Sequence, residues 1–151
     1  GESETARSLL ARSLERRLVA DGRHAYLLES KNLKTGLDAD LLETNDQELV
    51  RRFGEVARLL MDTGLIVISI ADAVEMTDFK AVQTLVHPAP VISVYLGERA
   101  GDASPDADLT LSSPEDMETA SQNIVEELKG RGVLAQAIGR RQRFQYTNYS
   151  I

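Results

Sequence analysis

The first eight residues, GESETARS, have the spacing of a phosphate-binding loop, G-x-x-x-x-G-K-[ST], that runs directly into a helix. Gly1 stands at the first glycine, Ala6 at the second, Arg7 at the lysine and Ser8 at the hydroxyl position. In such a loop the backbone amides cradle phosphate, the lysine bridges phosphate oxygens and the hydroxyl binds Mg²⁺. The chemistry indicated is nucleotide binding, with Gly1, Arg7 and Ser8 as residual nucleotide-binding residues.

Three substitutions weaken this interpretation. Glu4 brings a carboxylate toward a polyanion, and like-charge repulsion of ~1–4 kcal/mol is expected in a partly buried site. Ala6 costs ~1 kcal/mol or more if its position requires a positive φ. Arg7 keeps the charge, but a planar guanidinium does not have the shape of a compact ammonium. Two interpretations stay open, a nucleotide site or an ordinary helix start, and weak anion binding at the helix end is compatible with both.

The composition limits the classes of function. The 151 residues, 42% hydrophobic and 27% charged, suit one globular domain with a core. The net charge of −7 argues against binding to nucleic acid or to an anionic membrane. With no cysteine and only two distant histidines, His24 and His87, no metal site is predicted. No apolar run reaches the ~18 residues of a membrane span. No signal peptide is visible, so we expect a cytoplasmic domain.

The helices that must position these residues follow from apolar periodicity and from capping residues. A first helix is predicted for residues 4–19, where an apolar residue recurs every four positions and Leu9 lies beside the stripe. A capping box at 44–47 opens a second helix, and residues 76–86 form a third. Ser113 is the expected N-cap of the last helix. Glycines are expected to end three of these helices, at Gly22, Gly64 and Gly130.

Short apolar runs between the helices predict strands at residues 25–28, 65–71, 91–96 and 108–111. The run LIVISIA at 65–71 is apolar throughout, which is typical of a strand covered on both faces. Because helices alternate with strands, the predicted fold class is α/β, with three layers (αβα) and a mostly parallel sheet. We expect one domain at residues 1–139 and a separate C-terminal tail at residues 140–151.

Two segments of the chain resemble one known family. AYLLESKNLKTGLDADL, residues 25–41, and RRFGEVARLLMDTGLIVI, residues 51–68, are similar to the patterns YLLDGDNxRxGLNxDL and DRxENxRRxGEVAxLxxDAGxIV of adenylylsulfate kinase (APS kinase), a P-loop kinase of sulfate assimilation. The resemblance is good over the first half of the chain and weaker over the second. It implies a P-loop kinase fold and transfer of the γ-phosphate of ATP to the 3′-hydroxyl of adenylylsulfate, with Mg²⁺.

The resemblance also places substitutions at functional positions. Lys31 stands where the family has an acid near the reacting hydroxyl, and a charged lysine neither accepts a proton nor binds magnesium. Asn32 is retained, and Lys34 keeps the charge of a family arginine that contacts substrate. Asn32 and Lys34 are therefore the residual substrate-binding residues, although a solvated loop is the alternative for both lysines. Asp46 reverses the charge of a second family arginine, and Leu49 replaces a family asparagine.

Two further family features have no match. Residues 72–76 do not resemble the polar turn SFISPxR, and residues 97–108 are too short and too acidic for the basic lid. A site without such a cover excludes water poorly. Four residues that do match have a structural alternative, with arginines on an outer face and a glycine for close packing; they are Arg51, Arg52, Gly54 and Glu55.

The apolar framework is retained, whereas the substitutions gather where phosphate, magnesium and substrate are expected. The sequence therefore favours an adenylylsulfate kinase-like domain, related to sulfate assimilation, that is catalytically degenerate and acts as a regulatory or partner-binding module. No catalytic residue and no metal ligand is assigned. The alternative is an active ATP-dependent adenylylsulfate kinase, which would need ATP and Mg²⁺. A third hypothesis, different chemistry on the same scaffold, has no residue set that can be named.

The tail bears on the expected partners. The family places a hydrophobic central strand before the loop, so either the start of the chain is incomplete or another segment replaces that strand. The run FQYTNYSI, with Phe144, Tyr146 and Tyr149, is compatible with a strand. It could also pair with a second subunit in a homo-oligomer, or be a loosely packed terminus. A fused or associated sulfate-activating enzyme is a further expected partner; nucleic acid and membrane are not expected.

Overall fold

The computed structural model describes residues 2–41, 46–70, 76–97, 107–112 and 116–134. Within these ranges helices and strands alternate along the chain, which confirms the predicted α/β class. The elements are α1 (Glu2–Ala20), β1 (Ala25–Glu29), α2 (Lys31–Lys34), α3 (Asp46–Asp62), β2 (Ile66–Ile70), α4 (Met76–Val86), β3 (Val94–Gly97), β4 (Leu109–Ser112) and α5 (Met117–Gly130).

The strands pair in parallel, as predicted. β1 lies beside β2, with Ala25 opposite Ile66, and β3 lies beside β4, with Val94 opposite Leu109. Parallel neighbours require a crossover connection, and α3 supplies it between β1 and β2. In the described part of the chain the strands form two sheets of two strands each rather than one continuous sheet.

Helices cover both faces of the strands and make the three predicted layers. On one face, buried side chains of α1 and α5 form a cluster that packs against residues of all four strands, Ala25, Ile68, Leu96 and Leu111 among them. On the opposite face, α3 and α4 pack against β1 and β2 through a second cluster that includes Val67. Val67 and Ile68 contact opposite layers because successive residues of a strand point to opposite faces.

The contact between α1 and α5 also contains a small polar network. The Ser13 hydroxyl lies 3.1 Å from that of Ser121 and donates to Oε2 of Glu118 at 2.9 Å. The Ser121 hydroxyl donates to the Glu118 carbonyl at 2.8 Å, and Nη2 of Arg17 donates to Oε1 of Glu118 at 2.6 Å. Both buried hydroxyls therefore have partners, which avoids the cost of about 1–3 kcal/mol for an unsatisfied buried polar group.

The contact between α3 and α4 depends on a glycine. A Cβ atom added at Gly54 would lie 2.6 Å from Cδ1 and 3.4 Å from Cβ of Leu85. A separation of 2.6 Å is far below van der Waals contact, so one of the two side chains must move. The close-packing role expected for Gly54 is confirmed.

We expect Gly54→Ala to lower the free energy of unfolding by up to about 2 kcal/mol. Alanine gains about 1 kcal/mol in helix propensity, but overpacking a core contact costs about 1–3 kcal/mol. Denaturant unfolding of the variant measures the difference. Gly130→Ala is the matched control, because nothing lies within 4 Å of a Cβ at that position. In a Leu85→Ala background the Gly54→Ala change should become stabilising, and a loss of the same size in both backgrounds would contradict this explanation.

Several element bounds differ from the prediction. The N-cap of α5 is Asp116, whose carboxylate accepts from the amides of Glu118 and Thr119, and not Ser113. The loop predicted after β1 contains the short helix α2. Ser113 itself, and the first two residues of the capping box at 44–47, lie outside the described residues. The turns after α1 and α3 agree with the prediction, because Gly22 and Gly64 have φ of 76° and 87°, a region that favours glycine.

Burial also departs from the pattern at three places. Leu9, beside the apolar stripe of α1, and Leu59, one of the apolar residues that the sequence places on one side of α3, are both exposed. β2, expected to be covered throughout, is half-buried along most of its length, and Ser69 is exposed. Among the described helices, none combines the length and the apolar character needed to cross a membrane.

Candidate functional site

One face of α1 runs along β1 and fixes where the first turn of the helix lies. Ser8, Arg12 and Glu15 share this face because four and three residues separate them. Oε1 of Glu15 accepts from the Leu27 amide at 2.9 Å, and Nη2 of Arg12 lies 3.5 Å from Oε1 of Glu29. The helix is therefore antiparallel to β1. Ser8, one turn or about 6 Å beyond Arg12, lies at the carboxyl edge of the strands.

The carboxyl end of β1 carries a buried carboxylate held by two cations. Glu29 is 5% exposed, and its carboxylate forms ion pairs with the ammonium of Lys31 and, more distantly, with the guanidinium of Arg12. A buried carboxylate requires such pairing, because an uncompensated charge in a protein interior is costly. Lys31 therefore has a structural partner and is not simply a solvated loop residue.

The structure describes four of the five residual site residues, and these four lie near this edge. Arg7 and Ser8 lie half-buried in the first turns of α1, and Asn32 and Lys34 are exposed on α2, which follows β1 after one residue. The contacts above bring α1 and the start of α2 to the same end of β1. Gly1 lies outside the described residues, as do residues 98–106, most of the short acidic loop that stands where the resemblance implies a lid.

The turn that follows α2 is held by an arginine of α3. Arg52 donates through Nη1 to the Leu37 carbonyl at 2.5 Å, and through Nη1 and Nη2 to the two carboxylate oxygens of Asp40 at 2.6 and 3.1 Å. Its Nε donates to Glu48 at 3.0 Å, and the buried Asp38 carboxylate lies 3.9 Å away. Arg52 is 18% exposed. It connects the turn at 37–40 to α3, and it does not lie on an outer face as expected.

The charges around Arg52 alter the acidity of two carboxyl groups. Hydrogen bonds from Arg51, and then from Arg52, lower the pKa of Glu48 from 4.5 to about 2. A hydrogen bond from Arg52 also lowers the pKa of Asp40. A lowered pKa stabilises the fold above the ordinary pKa of the group, and this contribution is lost as the pH falls through the folded value. For Glu48 the loss spans about pH 4.5 to pH 2.

Substituting the two neighbouring arginines should separate their roles. Arg52→Gln removes the bonds to Leu37 and Asp40, so we expect faster amide exchange in residues 37–41 and a higher pKa for Glu48. Arg51→Gln is the matched control: it removes only the pairing with Glu48, so the pKa of Glu48 rises while exchange in the turn is unchanged. NMR titration and hydrogen exchange measure both effects. Equal exchange rates in the two variants would show that Arg52 does not hold the turn.

Arg12, Glu15 and Glu29 are not predicted as site residues from the sequence. The hydrogen bonds of Arg52 are not predicted either. Glu29 lies within the segment at residues 25–41 that resembles the family, and the sequence predicts no role for it. One usable signal was present, because an acid that ends an apolar strand is expected to be buried and therefore to have a cationic partner. Asp46 is exposed at the start of α3 and Leu49 is half-buried, so a carboxylate and an apolar side chain stand where the resemblance implies an arginine and an asparagine.

The residues at the carboxyl edge do not fit a magnesium ion, which the resemblance implies. Mg²⁺ requires oxygen ligands in octahedral geometry. Ser8 offers a hydroxyl, but an ammonium stands where an acid is expected, and the nearby carboxylate of Glu29 is already bound to Lys31 and Arg12. Over the residues that the structure describes, no three or more His, Asp or Glu side chains form a group suited to a metal.

Parallel strands between two helical layers, with a long helix beginning at the carboxyl edge, are the arrangement of doubly wound α/β proteins, to which the P-loop kinases belong. The family model for adenylylsulphate kinase matches residues 1–101. The chain belongs to the adenylylsulfate kinase family, whose members are kinases and transferases of sulfate assimilation.

Comparisons with individual proteins agree with this assignment. An adenylyl-sulfate kinase of Geotalea daltonii is 36% identical over 98 residues, 64% of this chain and 48% of that protein, so the chain spans about half of its length. An adenylyl-sulfate kinase of Shewanella baltica is 36% identical over 151 residues, 86% of this chain and 72% of that protein.

Solved structures show the same fold. A mutant APS kinase of Mycobacterium tuberculosis has a TM-score of 0.71 at 26% identity, covering 83% of this chain and 91% of that one. A hexameric APS kinase of Thiobacillus denitrificans has a TM-score of 0.69 at 23% identity, covering 84% of this chain and 27% of that one. The predicted three-layer P-loop fold is confirmed.

Proposed function

We propose that this chain is an adenylylsulfate kinase-like domain that has lost phosphoryl transfer and acts as a regulatory or partner-binding module. The observation that carries the proposal is the ion pair between Lys31 and the buried Glu29 at the carboxyl end of β1. Where the family pattern has an acid, this chain has a cation whose counter-ion is part of its own core.

The ion pair removes two chemical functions from the site. A charged ammonium has no lone pair with which to accept the proton of an attacking hydroxyl. It also repels a divalent cation, while the neighbouring carboxylate of Glu29 is committed to Lys31 and Arg12. Phosphoryl transfer depends on positioning and on stabilisation of charge by metal ions, so both losses act on the same step.

Cationic groups for binding an anion are retained. Lys34 on α2 and the first turns of α1, with Arg7 and Ser8, support weak binding of a nucleotide as an effector. Asn32 supplies an exposed amide beside Lys34. A module that binds adenylylsulfate or a nucleotide without turning it over is consistent with these residues.

The second candidate is an active ATP-dependent adenylylsulfate kinase. Family membership favours it, because the relatives above are named adenylyl-sulfate kinases. Arg7, Ser8, Asn32 and Lys34 are the residues that remain for this chemistry. The two candidates differ in one measurable property, which is turnover of adenylylsulfate in the presence of ATP and Mg²⁺.

Ligand-dependent thermal unfolding, combined with a coupled assay, separates the candidates. ATP with Mg²⁺, ADP and adenylylsulfate are titrated separately, because a ligand of the folded state stabilises it by about 2.7 kcal/mol at 100 times its Kd. For a degenerate module we expect no turnover and a shift with adenylylsulfate or a nucleotide that does not require Mg²⁺. A Mg²⁺-dependent shift with ATP, together with turnover, would establish the active kinase instead.

The proposal also covers the domain bounds, the location, the partner and the oligomeric state. The kinase-like domain comprises residues 1–139, and the tail at 140–151 lies outside the described residues. We also propose a cytoplasmic location and a sulfate-activating enzyme as fused or associated partner, as the resemblance to the family implies. Assembly into homo-oligomers is suggested by the hexameric structural neighbour. Analytical ultracentrifugation of the full chain tests the last point, and a monomer at all concentrations would contradict it.

A further inference from the structure

The short helix α2 cannot hold its own conformation. It has four residues, whereas isolated helices shorter than about 12–15 residues are marginal in water. Between residues 31 and 40 every residue is exposed except Leu33 and Asp38. The placement of Asn32 and Lys34, which this segment carries, therefore depends on the contacts of those two residues and of the adjoining backbone.

Leu33 is the first anchor of the segment. Its side chain packs against the buried cluster between α3, α4 and the strands. Its carbonyl accepts from the amides of Gly36 at 3.0 Å and Asp38 at 2.9 Å. Leu33 therefore joins α2 and the turn at 37–40 into one unit, and Lys34, the next residue, is fixed only as well as this unit is.

The guanidinium of Arg52 is the second anchor. It binds the Leu37 carbonyl and both carboxylate oxygens of Asp40, and it lies 3.9 Å from Oδ1 of Asp38. That oxygen is buried and has no hydrogen-bond partner among the described residues. Arg52 is thus the cation that compensates the buried carboxylate of Asp38, where an uncompensated charge would be costly.

Asp38 distinguishes this chain from the family pattern. The pattern GLNxDL has an asparagine where this chain, with GLDADL, has Asp38. The turn therefore carries two carboxylates, Asp38 and Asp40, and Lys34 is the nearest cation to them along the chain. Within the described ranges Lys34 forms no ion pair with a carboxylate. Without Arg52, the two carboxylates would attract Lys34 and compete with an anionic ligand for it.

We propose that Arg52 is a positioning residue for anion binding. By holding the turn at 37–40 and neutralising its carboxylates, it keeps Lys34 available to the anionic group of adenylylsulfate. In this role Arg52 does not contact the ligand and acts through Lys34. The inference rests on the proposed function, in which Lys34 binds such an anion, and it does not depend on whether phosphoryl transfer is lost.

Calorimetric titration of the full chain with adenylylsulfate, in the absence of ATP, tests the proposal. We expect Arg52→Gln to weaken binding about 10-fold, because binding must then order α2 and release Lys34 from the carboxylates. Arg51→Gln is the matched control. It removes the same charge from the neighbouring position of α3 and leaves the turn bonded, so the Kd should change less than about twofold. Arg52→Lys, which keeps the charge without the planar fork, should fall between the two.

A second set of variants separates positioning from a general loss of stability. Lys34→Gln should itself weaken binding about 10-fold. In that background Arg52→Gln should change the Kd less than about twofold, because the group through which Arg52 acts is absent. Asp38→Asn, which introduces the residue of the family pattern, should recover part of the affinity lost in Arg52→Gln. If Arg52→Gln does not fold, Arg52→Lys is compared in the two backgrounds instead.

The outcomes for this proposal and for the proposed function are distinguishable. Equal losses for Arg51→Gln and Arg52→Gln, or a loss from Arg52→Gln that persists in the Lys34→Gln background, would overturn the positioning role and leave the proposed function standing. A wild-type chain that does not bind adenylylsulfate would overturn both. Turnover in the coupled assay would contradict only the loss of phosphoryl transfer, and the same affinity pattern would then still support the role of Arg52.

Discussion

Replacing Lys31 with aspartate, the residue type of the family pattern, is expected to lower the melting temperature by about 5–15 °C. Removing one partner of a buried ion pair costs about 3–5 kcal/mol. Because one member of this pair is exposed, we expect a loss of about 2–4 kcal/mol in the free energy of unfolding. The melting temperature of a domain of this size falls by about 2–4 °C per kcal/mol. Glu29 is buried, whereas the Lys31 side chain is 52% exposed. The cost therefore arises at Glu29, which keeps only the distant Arg12 and gains a negative neighbour.

Thermal unfolding at neutral pH measures this effect, and two variants control for it. Lys34→Asp makes the same charge change at an exposed position of the same short helix, so we expect a shift of at most 1–2 °C, in line with about 0.5 kcal/mol for surface changes. Adding Glu29→Gln to Lys31→Asp should recover part of the loss, because the buried charge is removed. Equal losses for Lys31→Asp and Lys34→Asp would show that the ion pair does not matter.

The ion pair between Lys31 and Glu29 connects the candidate site to the core. A substitution toward the family acid at position 31 would therefore lower the stability of the fold, whatever its effect on activity. The residues at the carboxyl edge of β1 therefore act as a structural unit, and an acid at position 31 would be tolerated only with a coordinated change at position 29.

Local patterns in the sequence are sufficient to predict the helices and strands of the fold. The stripe of Leu10, Leu14 and Leu18 predicts the buried face of α1, and these residues are buried. Apolar runs between helices predict all four strands and their parallel arrangement. Such patterns succeed because burial of one face is imposed on each element separately, at a spacing that the sequence displays directly.

Features that depend on contacts between distant residues were not predicted. Arg52 bonds to Asp40, twelve positions earlier, and Arg12 approaches Glu29, seventeen positions later. No periodicity encodes such pairs, since they depend on how α1, β1 and α3 are placed relative to one another. The exposure of Ser69 on β2 has the same origin, because coverage of a strand depends on its neighbours and not on its own residues.

At the start of α5, a strong local signal in the sequence predicts the wrong N-cap residue. Ser113 followed by proline and two acids is a typical helix start, yet Asp116 caps α5 through the amides of Glu118 and Thr119. Serine and aspartate are both good N-caps, so the choice between them depends on where the preceding strand, β4, ends.

The second large expected effect is on the rate of phosphoryl transfer. We expect Arg7→Lys to give no turnover of adenylylsulfate, at least about 10³-fold below the 1–100 s⁻¹ typical of kinases. The substitution restores a compact ammonium that can bridge phosphate oxygens. It leaves Lys31 where an acid is needed, and it leaves Glu4 and Ala6, which lie in α1, at positions where the family has glycines. Because these groups act on one transition state, restoring a single one recovers little of the rate.

A coupled assay with ATP, Mg²⁺ and adenylylsulfate measures this turnover, with an active adenylyl-sulfate kinase assayed in parallel as the positive control. Omitting adenylylsulfate distinguishes phosphoryl transfer from simple ATP hydrolysis. Thermal unfolding of Arg7→Lys confirms that the variant is folded, so that inactivity is not a consequence of instability. Turnover by Arg7→Lys alone would mean that the ammonium of Lys31 does not stand at the reacting centre, because a cation tied to Glu29 could not accept the proton of the attacking hydroxyl.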